Sequence, residues 1–147
     1  MHNLIVIKSA LFKGILAVFL FIILVVSAFA EVENVDNQKL QLLMAEGIPI
    51  VDIRQQVEWK ETGIVPGSHL ITFFNSDGKY DVEKWLSKLA KITSRNEPLI
   101  IICRSGRRSL IVANYLSNNE KFLKVYNVGA GIKGWKHDNL EILIFQE

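Results

Sequence analysis

At 147 residues the chain is of single-domain length, and half of its residues are apolar. Its formal net charge of +2 comes from Lys8 and Lys13 near the start; beyond residue 30, fifteen basic residues face fifteen acidic ones. A balanced domain has no global field for nucleic acid or an anionic membrane, and a single cysteine excludes an internal disulfide.

The first thirty residues stand apart from the rest. His2, Lys8 and Lys13 give a weakly basic start, Ile15 to Ala30 is an apolar run, and Ala28-Phe29-Ala30 has the small-x-small form that precedes a cleavage site. Residues 1–30 therefore read as a signal peptide cut after Ala30, which exports the domain, in a bacterial cell to the periplasm. The alternative is an uncleaved anchor holding the domain at the inner membrane, because the run approaches the roughly 17 residues that span a bilayer. Either way the domain lies outside the cytosol, where a free thiol is at risk and calls for a purpose. Residues 31–35 are left as a connection, and the domain is expected over 36–147.

Asp36 caps a helix running to Gly47, with Val35 stapled to Leu40 and an apolar face of Leu40, Leu43 and Met44. Ile48 to Arg54 reads as a strand that opens on Pro49 and turns polar at Asp52 and Arg54. Gln55 to Glu61 is a short polar helix or turn with Val57 and Trp59 as apolar contacts, followed by a glycine and proline loop over 62–68. His69 to Phe74 reads as the next strand. Asp81 then caps a helix whose Val82, Trp85, Leu86, Leu89 and Ile92 fall on one face.

Pro98 to Cys103 is the central strand, an aliphatic run short enough to be buried on both faces, and a helix follows through Leu110, Ile111, Ala113 and Leu116. Phe122 to Val128 gives another strand, Gly129-Ala130-Gly131 a turn into a short helix with Ile132 and Trp135, and Leu140 to Phe145 a final edge strand. Strands alternating with helices predict an α/β fold, a parallel sheet of about five strands covered on both faces.

The only cysteine stands where the central strand meets a basic loop, Cys103-Arg104-Ser105-Gly106-Arg107-Arg108-Ser109. Ligands of open α/β sheets bind at such strand ends. A thiol there meets loop N–H groups, the positive end of a helix and three guanidinium groups, all of which stabilise a thiolate. Residues 104 to 108, Arg104, Ser105, Gly106, Arg107 and Arg108, then form a cradle for an anion.

A sulfur nucleophile beneath an anion pocket suits two reactions. In sulfur transfer, Cys103 attacks the outer sulfur of a thiosulfonate donor and becomes a persulfide. In phosphate ester hydrolysis it becomes a phosphocysteine, but the Cys-x5-Arg spacing of cysteine phosphatases puts Ser109 where the arginine belongs, and no leaving-group acid stands out. Asp52 and Arg54 read as a salt-bridged pair bracing the loop or, secondarily, as supporting site residues. Glu58 reads as a solvated or bracing carboxylate, and the scattered histidines with one cysteine offer no metal site.

Over residues 36–145 the chain resembles a single-domain rhodanese of the thiosulfate sulfurtransferase type. The resemblance is carried by Val51-Asp52-Ile53-Arg54 with Glu58-Trp59, by Gly63 to Leu70, by Cys103 to Ser109, and by Asn127 to Ile132 with Gly134-Trp135. It implies a five-stranded parallel sheet flanked by helices. It also implies a six-residue sulfur-accepting loop from Cys103 to Arg108, no cofactor, a small anionic sulfur donor, and cyanide, a thiol or a protein as acceptor. A relay that hands sulfur only to a protein partner is the second expectation. Two departures stand out: Ile64 follows Gly63, with the histidine displaced to His69, so no histidine role is carried over, and the glycine pair of the family is Gly129-Ala130-Gly131.

Overall fold

The computed structural model describes residues 31–146; the leader expected at 1–30 lies outside them. In chain order the elements are β1 (Glu31–Val35), α1 (Asn37–Ala45), β2 (Ile50–Asp52), α2 (Gln56–Thr62), β3 (His69–Leu70), α3 (Val82–Leu89), β4 (Leu99–Ile102), α4 (Arg107–Asn118), β5 (Lys124–Val128) and α5 (Gly131–His137). The five strands form one parallel sheet in the order β1-β5-β4-β2-β3, so β4 lies at its centre. Among the described residues no helix is long and apolar enough to cross a membrane.

β4 shows why the sheet needs helices on both sides. All four of its residues are fully buried. Leu99 and Ile101, with Cys103 just beyond, point to one face, where they pack with Trp85 and Leu89 of α3 and Val112, Ala113 and Leu116 of α4. Ile100 and Ile102 point to the other, among Leu40 and Leu43 of α1 and Ile132 and Trp135 of α5. Alternate side chains of one strand thus serve two cores, and burying each aliphatic side chain contributes about 1.5–3 kcal/mol.

The fifth strand is not the one the sequence predicts. Leu140 to Phe145 makes a single antiparallel bridge, Leu143 to Ile64, and lies across α2 with Phe145 against Trp59. The Trp135 indole N–H donates to the Glu141 carbonyl and holds this tail down at 2.6 Å. The edge is instead supplied by residues 31–35, expected to be a connection, which pair with β5 along their whole length. Only Val35 of that strand is buried, and Lys124 of β5 bridges Glu31 and Glu33 at 2.7 and 2.8 Å. An edge strand that buries one residue leaves little hydrophobic pattern to read.

Other differences are shifts of boundary. The segment expected as a strand over 69–74 is regular only for His69 and Leu70, although Ile71 and Phe73 still donate N–H bonds to Asp52 and Ile53. Asp36 and Asp81 cap α1 and α3 by accepting from the Lys39 and Lys84 N–H groups. α3 ends at Leu89, so Ile92 packs from the turn beyond it.

Candidate active site

Cys103 follows the last residue of β4, and Gly106 is the N-cap of α4. The intervening turn reverses the chain so that α4 begins over the sulfur. Ser109, in the first turn of α4, directs its backbone N–H to Cys103 Sγ at 3.4 Å, and its hydroxyl lies 3.2 Å from both that sulfur and the Gly106 carbonyl. Its single hydroxyl proton therefore has two acceptors. Cys103 is fully buried.

Two glycines make this turn possible. Gly106 has φ +80°, and a Cβ there would run into the Gly129 carbonyl. Gly131, at φ +58°, approaches the active loop from the other side, where a Cβ would strike the Cys103 carbonyl and the Arg104 and Ser105 backbone. The first turn of α5 then holds the loop from behind: Ile132 N–H donates to the Cys103 carbonyl at 2.9 Å and Lys133 N–H to the Arg104 carbonyl at 3.1 Å. The sequence marks Gly131 only as part of a turn, because its contact with the loop bridges distant parts of the chain.

The three arginines do not share one environment. Arg104 and Arg107 are exposed, as is Ser105, and Gly106 is buried. Arg108 alone turns inward, with its guanidinium bound by both oxygens of Glu58 at 2.6 and 2.9 Å. The expectation of three guanidinium groups packed about the thiol is therefore corrected to one. The outward pair stays in water because burying unpaired charge is costly.

Glu58 sits in the first turn of α2 and also accepts the Gln55 N–H at 3.1 Å, so it caps its own helix while it clamps Arg108. Burial opposes its charge. Hydrogen bonds from Arg108 and Gln55, with the positive charges of Arg108 and Arg54, outweigh that and hold the carboxyl below its ordinary value. Arg108 is held more firmly protonated than a free arginine, first by its hydrogen bond to Glu58 against the opposing effect of burial, then by the Glu58 charge and by interaction with Cys103. The Arg108 fork thus ties the first turn of α4 to the first turn of α2.

Asp52 and Arg54 sit at the end of the neighbouring strand as a pair with no exposed side-chain surface. Asp52 accepts from the Arg54 backbone N–H and from Nε and Nη2, the last at 2.7 Å. Arg54 also donates to Thr62 Oγ1 at 2.6 Å and to the Gly63 carbonyl at 2.8 Å. These bonds tie the end of β2 to the C-terminal end of α2, the helix that carries Glu58. The pair braces the site's frame through α2.

Comparison with known proteins agrees with this geometry. The family model described as "Rhodanese-like domain" matches residues 36–138. An uncharacterized protein of Rickettsia prowazekii is 31% identical over 120 residues, which is 74% of this chain and 95% of that one. A protein of Tolumonas auensis named thiosulfate sulfurtransferase GlpE is 25% identical over 101 residues, 69% of this chain and 84% of its own. Among solved structures, a rhodanese-like domain protein from Staphylococcus aureus superposes with a TM-score of 0.55 at 25% identity, covering 76% of this chain and 98% of its own. With its central parallel sheet, its strand-end cysteine and a match over residues 36–138, the chain belongs to the rhodanese-like domain family.

Proposed function

We propose that the protein is a sulfurtransferase that carries a sulfane sulfur as a persulfide on Cys103. The observation that carries this reading is the lone thiol at the carboxyl end of the central strand, with the Ser109 N–H and O–H directed at its sulfur and with Arg108 of the same loop held in place by both oxygens of Glu58. The likeness to the Tolumonas protein named a thiosulfate sulfurtransferase supports the choice of donor class.

In the first step the Cys103 thiolate attacks the outer sulfur of thiosulfate. A new S–S bond forms, the bond between the two donor sulfurs breaks, and its electron pair leaves with sulfite. In the second, cyanide or a thiolate attacks the terminal sulfur, and the electron pair of the persulfide bond returns to Cys103. Sulfite needs no proton to leave, so the site needs no general acid. A phosphocysteine route is less well served, since Ser109 stands where a phosphatase arginine would grip the ester oxygens and its hydroxyl is directed to Cys103 and Gly106. With residues 1–30 read as a leader, the reaction is assigned to an exported compartment.

Because Cys103 is fully buried, loading requires its sulfur to become accessible to the donor. The test is the intact mass of the protein before thiosulfate, after thiosulfate, and after cyanide, with Cys103→Ser as control. A gain of one sulfur on the unaltered chain alone, removed by cyanide, is the expected result. Sulfur uptake by the serine variant, or none by the unaltered chain, overturns the proposal.

A further inference from the structure

Beside β3 lies a cleft of about 430 Å³ that the Cys103 loop does not include. Its floor is aromatic. Phe73 stacks on Tyr80 with ring centroids 5.2 Å apart and meets Trp85 edge-on at 5.1 Å, while the Trp85 indole N–H is fixed by the Ile71 carbonyl at 2.9 Å. Tyr80 nevertheless keeps 60% of its surface exposed. The rim is cationic, formed by Lys79, Lys84 and Lys88.

Among the described residues none of these three ammonium groups is in an ion pair. Lys84 and Lys88 stand four apart on α3, where like charges on neighbouring turns repel and weaken the helix. The one carboxylate lining the cleft, Asp81, is engaged as the cap of α3. A rigid aromatic floor under three uncompensated cations is complementary to an anion with a flat apolar part.

The position of the cleft gives it a purpose. Phe73 N–H donates to the Ile53 carbonyl at 3.1 Å and Ile53 N–H to the Ile102 carbonyl at 3.0 Å, and Cys103 is the next residue. Phe73 is thus two strand spacings from the end of β4, about 10 Å. Phe73, Trp85, Ile53 and Cys103 also share one buried cluster, which puts cleft and thiol on the same face and at the same end of the sheet.

We propose that this cleft docks an acidic, aromatic-bearing segment of the protein that receives sulfur from Cys103. The inference rests on the sulfurtransferase reading and names the class of its acceptor. Nucleic acid fits less well, because residues 31–147 carry no net charge and the three lysines form a spot rather than a track. In the transfer, a cysteine thiolate beside the docked segment attacks the terminal sulfur of the Cys103 persulfide. The new S–S bond forms on the partner, the Cys103 S–S bond breaks, and its electron pair remains on Cys103.

The test has two arms, each run on the full chain and on the K79E/K84E/K88E variant, whose changes lie on the surface and should leave the melting temperature unchanged. In the first, protein without bound sulfur is titrated against a fluorescent peptide of about a dozen residues, rich in Asp and Glu with one Tyr and one Cys. A peptide with Asn and Gln in place of the acids and a single-stranded oligonucleotide serve as competitors. The acidic peptide should bind at least about tenfold more tightly than the neutral one, with affinity falling as salt rises, and the variant should lose that advantage.

In the second arm, transfer from sulfur-loaded protein to the peptide thiol should slow by a similar factor in the variant, with cyanide turnover unchanged. Equal binding of the neutral peptide, binding retained by the variant, or equal competition by the oligonucleotide overturns the docking proposal. Failure of the chain to take up sulfur overturns the sulfurtransferase reading instead, and the binding arm still decides whether the cleft docks an acidic segment.

Discussion

Removing the Glu58 carboxylate tests whether the Arg108 fork is held as strongly as its geometry implies. Both carboxylate oxygens lie within 2.9 Å of guanidinium nitrogens, and the side chains are 17% and 31% exposed, between a surface pair and a buried one. Unit charges about 4 Å apart attract by about 4 kcal/mol at an effective dielectric of 20, and desolvation and side-chain ordering remove much of that. Exposed pairs retain about 0–1 kcal/mol, so a bidentate and largely shielded one should retain about 1–2 kcal/mol. A double-mutant cycle of Glu58→Gln, Arg108→Met and the pair, read by urea unfolding at pH 7, should return a coupling of that size. Glu58 has a folded value below its unfolded one, so its contribution is fully present above the ordinary glutamate range and is lost as pH falls through the folded value. Repeating the cycle near pH 3 should shrink the coupling. A coupling below about 0.5 kcal/mol at pH 7, or one unchanged in acid, would refute the reasoning.

The buried Asp52–Arg54 pair should be less forgiving. Arg54→Met leaves the Asp52 charge without its partner and should cost about 3–5 kcal/mol in denaturant unfolding, more than Glu58→Gln does. Ser109→Ala removes the hydroxyl on Cys103 Sγ; a hydrogen bond to a charged sulfur is worth about 1.5–3 kcal/mol, so the initial rate of sulfur uptake from thiosulfate should fall at least about tenfold. Gly106→Ala must adopt φ +80° and displace the Gly129 carbonyl, so its loss of stability should exceed the ~1–2 kcal/mol of left-handed backbone alone, and sulfur uptake should fall with it. Ile101→Ala, in the middle of the central strand, should cost about 2–5 kcal/mol at unchanged chemistry once the protein is folded.

What was legible in the sequence follows from how local each signal is. Leu99 to Ile102 is an unbroken aliphatic run, so its burial on both faces and the exit of Cys103 at its end could be read directly. Asp36 and Asp81 announce their helices because a cap acts within three residues. Glu31 to Val35 gave no such signal, since its partner strand starts at Lys124 and only Val35 enters the core. Leu140 to Phe145 misled in the opposite sense: Leu140 and Ile142 pack against the cluster that holds Trp135 and Phe145 meets Trp59 of α2, while the backbone makes a single bridge and no ladder. In the site, the position of the thiol was local and readable. Which of three neighbouring arginines turns inward was not, because Glu58 decides it from fifty residues away. The bracing of the loop by Gly131 and the amides of α5 is hidden for the same reason.

The pairing of β1 with β5 bears on the order in which the sheet can be completed as the chain is made. Glu31 and Lys124 are ninety-three residues apart, whereas β2 and β3 need only the short crossover through α2 between them to pair. When the N-terminal end emerges first, β1 must wait unpaired until almost the whole domain has followed. Until β1 is captured, β5 is an open parallel edge, the kind of surface that invites pairing with another chain. Sealing that edge is therefore the closing event of assembly, and a change confined to residues 31–35 should show itself in aggregation during folding more than in the chemistry of Cys103.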